Sequence, residues 1–304
     1  MAPDNYEYYQ GQDYLMGTLV RLYAFHPPEK REWMKSLADR FFDSLEEDDR
    51  RLSIYNPESQ VNRINRAAGG EAVVVDPDTF ELLTESRRYW EATCGLFDIT
   101  SGALMRFFGY YESLNMPGTV AKESEELKDL TGCDKLELDP RSSTVRLARP
   151  GMLIDLGGIA KGWCVEKRAQ ILLSGGIADL AVSAGTSTVL ACGAPPGNEG
   201  WPMELEAPGG LAQKGEEVTL TNCAISVSGN YRNAIRTSGG LTRRHIMDPL
   251  TLKPVEEVRQ VVVAGPDAAE CEAFSTAFLI QGALEGRFNL GDRPEITVRI
   301  QEFS

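Results

Sequence analysis

At 304 residues, with 42% hydrophobic and 25% charged side chains, the chain can bury a full core and has the composition of a soluble globular protein. Its net charge of −14 argues against non-specific binding to nucleic acid or acidic lipid. An anionic ligand would therefore need a local positive field or a metal, and no apolar run is long enough to span a membrane.

The first ten residues are polar and tyrosine-rich, without the basic region and apolar stretch of a secretory leader. The expectation is a cytoplasmic protein, or an exported or membrane-anchored one if a leader has been removed. Met16 to Ala24 reads as a strand ended by Pro27 and Pro28. Trp33, Leu37, Phe41 and Leu45 recur at helical spacing, and the acidic end of that helix, Glu46 to Asp49, reads as a solvated surface. A polar loop (Leu52 to Ser59) leads into a short helix, followed by a short strand at 73–75. Asp76-Pro77 supplies a cap and first-turn proline for a helix that stops near Cys94-Gly95. Phe97 to Gly102 is a loop rich in side-chain oxygens, and 112–130 reads as a polar surface excursion.

Two short strands flank Asp139-Pro140-Arg141-Ser142 as a hairpin, which delivers the chain into an expected strand at 152–156. That strand runs through Gly157-Gly158 into a helix with Lys161 in its first turn. Such a junction offers N–H groups to an anion, or is simply a tight start to a helix. The helix ends at Gly175-Gly176, a strand follows at 180–182, and 189–227 reads as short strands joined by turns. Gln260 to Ala264 is a strand, Asp267 opens the last strong helix, and Glu295 to Ile300 is a final strand. Helices and strands mix without regular βαβ alternation, so the expected class is α+β.

Six cysteines without C-x-x-C spacing exclude a zinc site and read as buried thiols of a reducing compartment. Only His26 and His245 exist, which excludes a multi-histidine metal site. Glu272 and Thr276, four apart on one helix, point their oxygens the same way and suit a hard cation such as Mg²⁺; equally, they suit a surface Glu and a Thr bonded to its own turn. His245 lies between Arg244 and an Asp-Pro turn, and is either an ordinary residue or a base near neutral pH. Arg243 and Arg244 are phosphate contacts or a solvated turn. Asp98 and Asp155 sit at strand–loop junctions, where each suits a metal, a ribose, an adenine amino group, or a turn held by its carboxylate. Cys164 and Cys271 read as helix packing.

Taken in order, these segments resemble the ApbE family. The N-terminal signatures are Met16-Gly17-Thr18, Leu52-Ser53-Ile54-Tyr55 with Ser59 and Asn65, and Phe97-Asp98-Ile99-Thr100. Asp155-Leu156-Gly157-Gly158-Ile159-Ala160-Lys161-Gly162 matches the most distinctive motif. Ser228-Gly229 with Tyr231, His245 to Pro249 with Thr251, and Ala273-Phe274-Ser275-Thr276 complete the set. Family members are FAD:protein FMN transferases, which cleave FAD and attach FMN to a threonine of a target flavoprotein with release of AMP; some hydrolyse FAD to FMN and AMP.

The resemblance implies one catalytic domain over 14–300, possibly as two lobes, behind a polar extension at 1–13. The implied fold is related to tunnelling folds, with FAD between the lobes and Mg²⁺ near its pyrophosphate. By position, the Ala160 carbonyl, Glu272 and Thr276 would hold the metal, and His245 would act on the acceptor hydroxyl. Met16, Tyr55, Asp98, Thr100, Asp155, Gly158, Ile159, Lys161, Ser228 and Gly229 would contact FAD. The chain departs from the family pattern in Glu272 (usually Asp), Thr186 and Leu252 (usually Gly), Leu250 (usually Arg) and Glu166 (usually Asp). Flavin transfer is therefore weighed against FAD pyrophosphatase activity and against FAD binding with weakened catalysis.

Overall fold

In the computed structural model, which describes residues 5–111, 121, 123–205, 216–231, 234–236 and 242–303, seven strands form one sheet. Their order is Glu7–Leu15, Thr18–His26, Asp179–Ala184, Thr188–Cys192, Cys223–Gly229, Val258–Gly265 and Thr297–Phe303. Every neighbouring pair is antiparallel. Seven α-helices accompany it among the described residues: α1 (Arg31–Leu52), α2 (Gln60–Arg66), α3 (Pro77–Ala92), α4 (Gly102–Phe107), α5 (Leu127–Leu130), α6 (Ala160–Ser174) and α7 (Ala268–Gln281). The fold is α+β, as the mixed pattern of elements implies.

Both faces of the sheet are covered, which explains why its central strands are almost wholly apolar. α7 lies across strands Cys223–Gly229 and Val258–Gly265, and α6 packs between α7 and α1. On the other face, the hairpin of Trp201–Leu205 and Glu216–Leu220 covers a second core. Alternate residues divide between the two: Ala224, Val261 and Val263 belong to the helix-side core, whereas Ile225 and Val262 belong to the core under the hairpin. α7 is buried on nearly all sides, as befits a helix between a sheet and other helices. Asp267 caps it by accepting the Glu270 N–H at 2.7 Å, and Asp76 caps α3 through the Thr79 N–H at 2.9 Å.

Several expectations need correction. The polar N-terminal segment is ordered from Glu7 onward: Glu7–Leu15 is the sheet's edge strand, paired along its length with Thr18–His26. Met16 and Gly17 form the turn between them, with φ of 53° and 71°, as a two-residue hairpin turn requires. The Met16 N–H is held by Asp49 Oδ2 at 2.9 Å. The acidic end of α1 is not uniformly solvated, because Asp48 is buried against Arg51 and Arg168. Residues 152–156 form no strand; Leu153 makes one isolated bridge to Ser101. Of the supposed surface excursion, residues 112–120 and 122 lie outside the described residues, while Leu127 and Leu130 of α5 are buried. Among the described residues no helix is long and apolar enough to cross a membrane. All six cysteines are free; Cys133, Cys164 and Cys271 are buried and Cys94 is exposed.

Candidate functional site

A cleft of about 1180 Å³ opens where the Gly157-Gly158 turn and the N-terminal end of α6 meet α7 and the strand Cys223–Gly229. It is assembled from segments far apart in sequence, with Tyr55, Asp98, Asp155, His245 and Glu272 all on its wall. Gly162 makes this meeting of helices close: a Cβ there would fall 2.5 Å from the Ala268 carbonyl oxygen. One turn further on, Glu166 accepts the Ala268 N–H at 2.7 Å. α6 therefore docks on the start of α7, and Lys161 is brought opposite Glu272.

Glu272 is only 4% exposed. Its Oε1 accepts the Thr188 hydroxyl at 2.5 Å and lies 3.6 Å from Lys161 Nζ. Its Oε2 is buried without a hydrogen-bond partner. An orphaned carboxylate oxygen inside a protein is costly, so this one is open to a partner from outside the chain, a water or a cation. The hydroxyls around it are ordered. Ser275, fully buried, donates its one proton to the Glu272 carbonyl at 3.0 Å. Ser226 and Ser228, at 3.0 and 2.7 Å, must then donate to Ser275. Ser228 thus has only lone pairs to offer Thr276 Oγ1, 3.5 Å away. The Thr276 proton can turn to Ser228, which leaves its other lone pairs for a ligand. Gly158 leaves this corner open, since even a Cβ there would stand 3.7 Å from Thr276 Oγ1.

Elsewhere on the cleft wall, Asp98 and Asp155 both hold turns. Asp98 Oδ1 accepts the Thr100 N–H at 2.7 Å, the Thr100 hydroxyl at 2.6 Å and the Cys133 thiol at 3.3 Å. Burial pushes the Asp98 carboxyl above the usual carboxylate range against the pull of these bonds. Asp155 Oδ1 accepts the Gly157 N–H at 2.8 Å, and its Oδ2 takes the Tyr111 hydroxyl. Burial, and then the Asp155 charge, holds the Tyr111 hydroxyl in its protonated form. Tyr111 also meets Tyr55 edge-on at 6.3 Å, and Tyr55 remains 67% exposed, leaving its ring available to a flat ligand.

Of the residues singled out from sequence, Tyr55, Asp98, Asp155, Gly158, Lys161, Ser228, Gly229, His245, Glu272 and Thr276 line one cleft. Met16, Thr100, Ile159 and Ala160 do not. Met16 sits in the hairpin turn beside Gly17 and Thr18, which do line it. Thr100 is fully buried, giving its hydroxyl proton to Asp98 and accepting the Gly132 N–H at 2.6 Å. Ile159 is fully buried in the core, and Ala160 is the first residue of α6. The Arg244 guanidinium bonds the Glu256 and Asn230 carbonyls, at 2.9 and 2.8 Å, so it ties loops together. The Arg243 side chain lies outside what is described. Burial raises the thiol pKa of both Cys164 and Cys271, in keeping with packing.

Sequence reading missed Thr188, Ser226 and Tyr111. The first two carried a signal: each is a hydroxyl at a helix-facing position of a strand that is mostly apolar. Tyr111 carried none beyond its aromatic neighbours. One buried carboxylate oxygen with a hydroxyl beside it fits a Mg²⁺ ion that keeps several waters and shares ligands with a substrate phosphate, rather than a cage of protein ligands. The described residues hold no group of three or more His, Cys, Asp or Glu suited to a metal.

The model of the ApbE family matches residues 16–299 of the chain. The FAD:protein FMN transferase of Treponema pallidum is 27% identical over 294 residues, covering 90% of this chain and 79% of that protein. Among solved structures, the ApbE protein of Thermotoga maritima superposes with a TM-score of 0.78 at 29% identity, covering 91% of this chain and 87% of that one. A mutant of the flavin transferase ApbE of Vibrio cholerae superposes with a TM-score of 0.79 at 25% identity, covering 98% and 97%.

Proposed function

The chain belongs to the ApbE family, and we propose that it is a Mg²⁺-dependent FAD:protein FMN transferase that moves FMN from FAD to a threonine hydroxyl of a partner flavoprotein. The observation that carries this reading is the buried Glu272 carboxylate, with one oxygen orphaned beside Thr276 on the wall of a large cleft. Glu272, the Thr276 hydroxyl and the Ala160 carbonyl would hold the metal. Mg²⁺, when bound, supplies charge neutralisation of the pyrophosphate and of the charge developing on it. Lys161 and the Gly157-Gly158 backbone face the phosphates. Tyr55 offers its ring to the flavin, and Asp98, Asp155, Ser228 and Gly229 line the rest of the FAD pocket, with Thr100 bracing Asp98 from behind and Met16 in the turn beside Gly17 and Thr18.

In the reaction, the acceptor threonine oxygen forms a bond to the phosphorus of the FMN half. The bond from that phosphorus to the oxygen shared with AMP breaks, and AMP leaves with the bonding pair. His245 takes the threonine proton. The direct test is purified protein with FAD, Mg²⁺ and a peptide carrying an acceptor threonine. Covalent flavin fluorescence on the peptide, with one AMP per flavin, is expected. AMP and free FMN with no labelled peptide would instead make the protein a FAD pyrophosphatase, and bound FAD with no AMP would make it a binding protein. His245→Ala should slow transfer by about 10²–10⁴-fold with FAD affinity kept; transfer at the wild-type rate would remove His245 from the reaction.

A further inference from the structure

Among the described residues that line the cleft, Lys161 is the one lysine or arginine, and it is aimed at the carboxylate assigned to the metal. Its ammonium donates to the Gly157 carbonyl at 3.3 Å and stands 3.6 Å from Glu272 Oε1, close enough for an ion pair but beyond a hydrogen bond. Glu272 Oε1 already accepts the Thr188 hydroxyl, and the ammonium does nothing for Oε2. The pair is therefore loose. A flexible four-carbon stem carries the charge, and the side chain keeps 24% of its surface open to solvent.

This geometry has an electrostatic consequence. With Lys161 facing Glu272, the two charges cancel and the corner is close to neutral. A divalent cation arriving alone would meet one carboxylate whose charge is already offset, and an ammonium that repels it. A diphosphate changes both terms: it attracts the ammonium away from Glu272 and adds its own negative oxygens on the cleft side. We propose that Lys161 is a counter-ion that exchanges partners, holding Glu272 while the cleft lacks nucleotide and passing to the diphosphate when it arrives, so that the metal enters with the substrate rather than before it. The proposal rests on the assignment of Glu272 to the metal. In it Lys161 acts on metal binding through Glu272, as a positioning residue, as well as through the phosphates.

The test is a titration of Mn²⁺ as the probe metal, read by loss of the free-ion electron paramagnetic resonance signal, without nucleotide and with saturating ADP as an unreactive diphosphate. Wild-type protein should bind Mn²⁺ weakly alone and at least about tenfold more tightly with ADP. Lys161→Met should bind Mn²⁺ alone at least about fivefold more tightly than wild type, and the tightening by ADP should shrink by a similar factor. Circular dichroism of the variant establishes that it folds, and Lys161→Arg, which keeps the charge, should restore weak binding without nucleotide. If Lys161→Met bound Mn²⁺ alone no more tightly than wild type, the exchange would be wrong. Glu272→Gln separates the two failures. It should lose Mn²⁺ binding with and without ADP, and if it kept that binding, the metal assignment itself would fall, whatever Lys161 does.

Discussion

Asp48 and Glu272 are both buried carboxylates, and they are finished differently. Asp48, 1% exposed in α1, has both oxygens matched: Arg168 bonds it in a fork at 2.7 and 2.8 Å, and Arg51 adds a third contact. Arg168 goes on to Asp78 and Arg51 to Asp76, so one network ties α1, α3 and α6 together. Glu272, 4% exposed in α7, has a hydroxyl and a distant ammonium on one oxygen and nothing on the other. A buried charge whose partners are all supplied by the chain serves architecture. A buried charge left short of a partner is available to a group that comes from outside.

If that contrast is right, the two sites respond oppositely to mutation. Asp48→Ala should cost about 1–3 kcal/mol of stability in urea unfolding, because it leaves part-buried guanidinium N–H groups of Arg168 and Arg51 without their acceptor while Asp78 and Asp76 still answer the two charges, and the molecules still folded bind FAD as before. Glu272→Gln should do the reverse: turnover with Mg²⁺ falls on the order of 10²–10³-fold, while the unfolding midpoint holds or rises. A Glu272→Gln protein that unfolded as readily as Asp48→Ala would place both carboxylates in the same class. Thr188→Val tests the anchor of Glu272, and metal affinity should drop about 10–100-fold, the usual scale for a residue that orients a ligand.

A third carboxylate offers a finer and smaller test. Glu166 is pushed up to about 7 by burial and then by the neighbouring Asp267 charge. Between its ordinary value of 4.5 and about 7 the folded protein therefore binds more protons than the unfolded chain. This contribution to stability is fully present below pH 4.5 and is lost as pH rises towards 7. The Glu166→Gln variant should lose less stability than wild type between pH 5 and pH 8 in urea midpoints. An identical pH slope in both proteins would show that Glu166 ionises normally.

How much of this was legible in the sequence depended on how local the cause was. The start of α3 at Asp76-Pro77, the start of α7 at Asp267 and the hairpin around Asp139 are set by residues within a turn of one another, and they were read correctly. The edge strand Glu7–Leu15 was not, because an edge strand with a solvent-facing side is rich in polar residues and looks like a tail. Asp48 was misread because its partner Arg168 lies 120 residues away. Residues 152–156 were misread for the converse reason: an apolar run with strand composition found no strand to pair with. In the site, the i, i+4 spacing of Glu272 and Thr276 showed what α7 offers the cleft. Residue spacing joined neither Thr188 nor Lys161 to Glu272; the resemblance set Ala160 beside Glu272, and the contacts to Lys161 and Thr188 come from the docking of α6 and the sheet against α7. Leu252 stands where the family pattern has glycine and still takes the left-handed turn, with φ of 58°. A leucine there takes a backbone conformation that glycine adopts more easily.

The strand Cys223–Gly229 places one further demand on the chain. Its even-numbered residues, Ser226 and Ser228, meet the hydroxyls of α7, while its odd-numbered Ile225 and Val227 fill the core beneath the Trp201 hairpin. Chemistry and packing are thus interleaved with a parity of two. Insertion or loss of a single residue ahead of Ser226 would exchange the two sets, sending hydroxyls into the apolar layer and valine and isoleucine towards Glu272. Substitutions can tune this wall one position at a time, but a change in length cannot, and the reading frame of the strand is itself under constraint.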